Sequence, residues 1–260
     1  MNYDKNLEKL DSLKQKLYKS FKFDQYDKEK ESIKAPANDQ EIETRNQYSV
    51  ELFDIFIHAN DKEFDDESRL LKCKELLIKG ADPNYRGVSK SRNSNRTEKG
   101  DFPLLLCARK GYTKIAHLLL CFGADPNMTN YYGTTAAMAA ARHGNIEILE
   151  MLIAKGANIN AVDKDGDYAL ISAVFHNKDE KKQDKCIDAL LANQAYVGMH
   201  NLRGDTPFTK TDSKKDIKKL SENFIDGNFN YEKDYYTTYE DAQAVINEAK
   251  ERLRLIKENK

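Results

Sequence analysis

Apolar positions along this chain come in short bursts separated by polar turns that carry glycine. From residue 102 the bursts read FPLLLCA and IAHLLLCF, then AAMAAA and IEILEMLIA, then YALISAVF and CIDALLA. Within each burst the apolar residues recur three or four apart, so each predicts a short amphipathic helix. Helices this short hold in water only when packed on something. They come in pairs, and the pairs predict an all-α fold in which each unit covers the apolar faces of its neighbours. Upstream, SVELFDIFIHAN and SRLLKCKELLIKG predict one further pair.

The turns repeat as regularly as the bursts. GADPN stands at Gly80–Asn84 and again at Gly123–Asn127, and GANIN stands at Gly156–Asn160. The glycines that open successive pairs, Gly100, Gly133, Gly166 and Gly204, are spaced 33, 33 and 38 residues apart. A glycine that closes a helix predicts a left-handed backbone, and the Asp or Asn two residues later suits a turn. Thr206-Pro207 predicts a cap followed by proline in the first helical turn. Four departures stand out. The interval from Gly80 to Gly123 carries ten extra residues relative to the 33 between Gly123 and Gly156. NKDEKKQDK lengthens the third pair, and Gln194 takes the place of a closing glycine, which predicts an irregular turn there. After Phe208 the text turns polar, with Ile217, Leu220, Phe224 and Ile225 as its apolar stripe, as a terminal capping repeat requires.

The best-matched unit carries Gly133, Thr135, Ala140, Ala141, Gly144, Ile148, Leu152 and Gly156-Ala157-Asn158. The unit before it keeps Pro103, Leu104, Ala108, Gly111 and Gly123-Ala124-Asp125. In these residues the chain resembles the ankyrin repeat family. Tyr168-Ala169-Leu170 stands where that family has T-P-L, and the last unit keeps Thr206-Pro207-Phe208 before it departs. The resemblance implies an all-α solenoid of about four to five repeats over residues 47–225, with helical extensions at 1–46 and 226–260. It also implies protein recognition without catalysis, through a concave face and the finger turns beside it.

The flanks follow the same helical logic. Leu7, Leu10, Leu13, Leu17 and Phe21 form one stripe, which predicts a helix that docks on the repeats or binds a partner or a second copy. Residues 22–40 are charged and poor in aliphatics, and read as a linker. At the other end Thr238 and Asp241 resemble a capping box. Ala242, Val245, Ile246, Ala249, Leu253 and Ile256 then predict a helix that covers the end of the stack or serves as a delivery signal.

Composition narrows the function. Lys and Arg total 42 against 43 Asp and Glu, so bulk charge draws the chain to neither nucleic acid nor a membrane. The N-terminus shows no apolar core of signal-peptide length, and no stretch reaches membrane-spanning length. Cys73, Cys107, Cys121 and Cys186 form no CxxC pair and read as reduced core thiols of a cytoplasmic protein. No phosphate loop, nucleophile elbow or zinc signature appears, so the expectation is a monomer with no cofactor, no metal and no catalytic residues. DKDGD around Asp163, Asp165 and Asp167 lacks the downstream Glu of a calcium loop. An enzyme that uses the repeats to hold its substrate is an alternative without a visible nucleophile and base.

The candidate site is therefore a surface for a protein partner with an acidic patch. Arg109 and Lys110 in one repeat and Arg142 and His143 in the next sit at equivalent inner-helix ends. They read as a basic ridge that gives way to Phe175 and His176, or as a solvated edge. Tyr131 and Tyr132 offer aromatic anchors on the finger between them. The surplus between Asn84 and Gly100, YRGVSKSRNSNRTEK, holds Arg86, Arg92 and Arg96 and reads as a mobile loop. It is a tolerated insertion, a segment that orders on a partner, or a phosphorylation target through Ser89, Ser91, Ser94 and Thr97. The wording also resembles ankyrin effectors of intracellular bacteria, which would place the chain in a host cytoplasm.

Overall fold

The computed structural model describes residues 2–57, 65–90, 97–176, 180–211, 215–216 and 218–220, with single helical positions at 247, 250, 251, 254, 255 and 258. The tyrosine-rich segment, most of the C-terminal helix, Phe224 and Ile225 lie outside the described residues. So do Ile217 and the side chains of Leu7, Leu10 and Leu13. Among the described residues eleven helices and one strand pair occur in chain order. They are α1 (Asn2–Phe21), α2 (Asp27–Glu31), α3 (Asp39–Ile57), α4 (Asp66–Ile78), β1 (Gly87–Lys90) and β2 (Thr97–Asp101). Then follow α5 (Pro103–Lys110), α6 (Thr113–Cys121), α7 (Ala136–His143), α8 (Ile146–Ala154), α9 (Ala169–His176), α10 (Glu180–Ala192) and α11 (Pro207–Lys210). The chain divides into two compact units, Met1–Ala140 with Glu147–Asn158, and Ala141–Ile146 with Ile159–Lys260.

In the first unit the apolar bursts become paired helices. Leu52 and Phe56 of α3, Leu76 and Leu77 of α4, Leu104 and Leu105 of α5 and Leu118–Leu120 of α6 are all buried. Glycine closes each second helix because the chain must reverse there. Gly80, Gly123 and Gly156 have φ of 94°, 91° and 82°. At each, the glycine amide donates to the third carbonyl back and the next amide to the fifth, as in Ala124 N–H to Leu119 O at 2.9 Å.

The asparagine that ends each GADPN or GANIN phrase then bridges to the next copy of the phrase. Asn84 Nδ2 donates to the Gly123 carbonyl (3.2 Å), and Asn84 Oδ1 accepts the Asp125 amide (2.8 Å). Asn127 repeats both bonds with Gly156 (3.3 Å) and Asn158 (2.7 Å). Ahead of the first rung, Ser49 of α3 supplies the acceptor, taking the Asp82 amide at 2.8 Å. The phrase recurs because each copy both terminates a helix and fastens the copy that follows.

The segment read as a linker carries structure. Phe23 is buried and stacks on His117 of α6 with ring centroids 5.4 Å apart, and Lys155 Nζ sits 4.3 Å from the Phe23 ring centre. His117 Nε2 is hydrogen-bonded to the Phe21 carbonyl. From α2, Glu29 pairs with Lys74 of α4 (3.3 Å) and Lys30 donates to the Cys121 carbonyl (3.2 Å). One aromatic anchor among charged neighbours is enough to dock the segment on the second helices.

The second unit is built around Tyr168, Leu170, Ile187, Leu190, Phe208 and Leu220, all buried, with the Tyr168 hydroxyl donating to the Met199 carbonyl (3.1 Å). The turn at Gln194 corrects the expectation of irregularity. Gln194 takes φ of 63°, its amide donates to Leu191 O (3.1 Å), and Ala195 donates to Leu190 O (3.0 Å). Glutamine therefore adopts the glycine conformation, and Asn160 makes the usual rung with Gln194 O (3.3 Å) and the Tyr196 amide (2.9 Å). Thr206 and Thr209 form a capping box ahead of Pro207. Lys219 pairs with Asp184 (3.3 Å) and Asp188 (2.7 Å) on α10.

Candidate partner-binding site

Two residue types recur in the fingers: an Asn or Asp three places before the opening glycine at Gly133, Gly166 and Gly204, and an Asp one place after it at Gly100, Gly166 and Gly204. In the finger of residues 128–134, the Asn130 side-chain oxygen accepts the amides of Tyr132 and Thr134, both at 3.0 Å. A side-chain acceptor over two alternate amides locks the turn, and Gly133 closes it at φ of 80°. Asn130 Nδ2 reaches back to Asp101 Oδ1 (2.9 Å), and Arg109 Nη1 donates to Asp101 Oδ2 (2.7 Å). Asp101 is wholly buried, so both of its oxygens are used where water does not reach.

On this frame Tyr131 is 62% exposed, and Tyr132 stands edge-on to it with ring centroids 5.7 Å apart. Arg86 Nη1 donates to the Thr129 carbonyl of the same finger, a neutral partner that leaves its positive charge uncompensated. Lys110 donates to the Phe56 carbonyl. Arg109 and Lys110 thus also serve the interior of the first unit. The two ends of the finger insertion are ordered as strands, while residues 91–96 lie outside the described residues. Gly87–Lys90 and Thr97–Asp101 pair as antiparallel strands, and Gly87 is needed because a Cβ there would overlap the Phe53 ring. Arg92, Arg96, Ser91 and Ser94 lie outside the described residues, as do the side chains of Ser89 and Thr97.

The second unit holds the other candidates. Arg142 is half-buried and His143 exposed at the end of α7, and Phe175 is exposed near the end of α9. The side chain of His176 lies outside the described residues. Its fingers repeat the design with altered chemistry. Asp163 accepts the amides of Asp165 (2.9 Å) and Asp167 (3.0 Å), and Asn201 accepts those of Arg203 and Asp205 (both 2.9 Å). Asn201 Nδ2 donates to Asp167 (2.7 Å), which also takes Arg203 Nη2 (3.2 Å). Burial raises the Asp163 pKa above 3.8, and the carboxylates of Asp167 and Asp165 add to that against the turn amides. Leu202 is 79% exposed at the tip equivalent to Tyr131.

Asp101, Asn130, Asn201 and Arg203 are not among the candidates drawn from the sequence, and Asp167 enters there only within DKDGD. Their signal was available as Asn130, Asp163 and Asn201 three places before Gly133, Gly166 and Gly204, and as Asp101, Asp167 and Asp205 directly after Gly100, Gly166 and Gly204. Chemistry is muted elsewhere. Burial pushes the Cys73 thiol up to about 12 and Cys121 to about 11, and Cys107 rises well above its ordinary value. Among the described residues no cluster of His, Cys, Asp or Glu is placed to hold a metal, and no helix is long and apolar enough to cross a membrane.

None of the curated proteins matches the chain. A family model of ankyrin repeats in three copies matches residues 67–163 and again 104–201, together about half of the sequence. Those spans contain the glycine turns, the asparagine rungs and the finger frames at Gly133 and Gly166, and the chain belongs to the ankyrin repeat family.

Proposed function

We propose that the chain is a non-catalytic module that binds a protein partner with an acidic patch through the finger side of its repeats. Ankyrin repeats are protein–protein interaction modules, and proteins built from them are generally non-catalytic scaffolds. The observation that carries the reading is Tyr131. An aromatic side chain stands mostly in water on a turn that a buried Asn130–Asp101 pair holds rigid. Such an anchor loses little side-chain freedom on binding, and interfaces concentrate their energy in anchors of this kind. Arg86 beside it, with Arg92 and Arg96 in the adjoining sequence, favours a partner of opposite charge.

The test uses the full chain as bait and then measures the affinity of each captured partner by calorimetry. Tyr131→Ala weakens the true partner by about tenfold or more with the circular dichroism unchanged. Arg86→Ala weakens it less at high salt than at low salt. If both variants bind every captured partner as the parent does, the finger side is not the binding surface.

A further inference from the structure

In the second unit the fold holds a leucine out in water. Leu202 is 79% exposed, at the tip position that Tyr131 occupies in the first unit. Its backbone is fixed from two directions. Within its own finger the Asn201 amide donates to the Asp205 carbonyl and the Gly204 amide to the Asn201 carbonyl, both at 2.9 Å. Toward the preceding finger, the Leu202 amide donates to the Asp165 carbonyl (3.0 Å). The two turns lie so close that a Cβ on Gly166 would come within 2.8 Å of the Leu202 amide nitrogen. Leu202 therefore stands on a doubled turn that uses its amide and leaves its side chain to solvent. An aliphatic group in water gains by burial, and a fixed backbone has little freedom left to lose when that burial comes.

Charge selects what would bury it. The two fingers carry Asp163, Asp165, Asp167 and Asp205 against Lys164 and Arg203. Arg203 is engaged within the paired turns, with Asp167 at 3.2 Å and Asp205 at 3.6 Å. Asp165 is exposed, and among the described residues its carboxylate has no ion-pair partner. The Asp165 carboxylate also helps to raise the pKa of Asp163, behind the larger effect of burial. A second copy of this chain would bring the same carboxylates to the same place and be repelled, as would a nucleic acid. A cation next to an apolar group fits both features.

We propose that the paired fingers of residues 163–167 and 201–205 dock a segment of a partner protein in which an aliphatic side chain is flanked by lysine or arginine. The aliphatic group covers Leu202, and a flanking cation meets Asp165 beside it. This gives the second unit a partner chemistry of its own, opposite in charge to that favoured by Arg86, and it rests on the protein-binding reading above.

The probe is a short fluorescent peptide with one leucine between arginines, added to the full chain and followed by anisotropy. Leu202→Ser is expected to weaken its binding about tenfold. Asp165→Lys is expected to weaken it about fivefold at low salt and less at high salt. Asp165→Asn, with an unchanged circular dichroism spectrum, is expected to show a smaller loss in the same direction and keeps the test valid if the charge reversal disturbs the turn. A peptide with serine for its leucine is expected to bind the parent more weakly and to lose nothing further with Leu202→Ser. Equal binding of the first peptide to the parent and to Leu202→Ser overturns the proposal, as does absence of binding to the parent. Equal or tighter binding of the peptide with glutamate for arginine overturns it as well. Self-association of the parent that Leu202→Ser abolishes overturns it in favour of a second copy. A captured partner that depends on Tyr131 but not on Leu202 overturns this inference and leaves the broader reading standing. A partner that ignores Tyr131, Arg86 and Leu202 removes both.

Discussion

Asp101 in the first unit and Asp167 in the second stand at the same place in the repeat, one residue after the opening glycine, and each accepts the amide of an asparagine from the following finger. Their cations differ. Asp101 takes Arg109 from the inner helix of its own repeat, at 2.7 Å and with the arginine side chain 23% exposed. Asp167 takes Arg203 from the following finger, at 3.2 Å and with that side chain 55% exposed. The same carboxylate is thus an interior hub in one unit and a half-wet clasp in the other. The electrostatic worth of such a pair falls with exposure, while the cost of stranding a buried partner rises.

That contrast is sharpest at the aspartates themselves. Asp101→Ala strands a part-buried guanidinium and a buried amide and is expected to cost about 2–4 kcal/mol in urea unfolding. Asp167→Ala, whose arginine turns to solvent, is expected to cost about 1–2 kcal/mol. Equal losses would break the comparison. The rungs test what the units share. Asn127→Ala in the first and Asn160→Ala in the second each remove two hydrogen bonds and should cost about 1 kcal/mol apiece. A large inequality between them would show that the ladder is not the common element.

Smaller effects run in the stabilising direction and belong to the second unit. Gln194→Gly relieves a left-handed glutamine and should raise stability by about 0.5–1 kcal/mol, read as a higher melting temperature. In the first unit the equivalent position, Gly123, is already glycine. Asp163→Asn should add a few tenths of a kcal/mol at neutral pH, because the amide oxygen still accepts both turn amides and a carboxylate beside Asp165 and Asp167 disappears. The sign of its pH dependence follows from the raised pKa of Asp163. A carboxyl raised by folding contributes stability that is complete below its unfolded value and lost as pH rises through the folded one. The gain from the substitution is therefore largest near pH 7 and fades toward pH 3. A gain that stays constant with pH would remove the electrostatic cause.

The helix pairs were legible in the sequence because packing demands apolar residues at helical spacing, and the turns because glycine alone adopts the left-handed backbone without strain. Gln194 escaped for the same reason: neighbouring contacts outweigh a strain of about 1 kcal/mol, and composition does not display those contacts. The rungs escaped because Asn84 looks like a turn residue until the next GADPN is laid beside it. Phe23 was hidden among charges that suggested a linker. The strands β1 and β2 were hidden because GVSKSRNSNRTEK has no apolar alternation and only Val88 and Thr97 as β-branched residues. Among the candidate contacts, Arg109 looked solvent-facing on helical spacing alone. Its salt bridge crosses the finger-to-helix turn, which periodicity does not see.

The asparagine rung closes before the finger opens. Asn84 has already fastened the Gly123 turn when the chain sets out toward Gly87, and the next fixed point is Asp101. The rung at Asn84 and the frame at Asp101 are each made by residues outside the insertion, so added length between them is expected to leave the register of the repeats in place. The position after Lys90 is thus a natural display port. A foreign epitope spliced in at that point is expected to leave the Asn84 rung in place, since ten surplus residues already lengthen the interval that holds it.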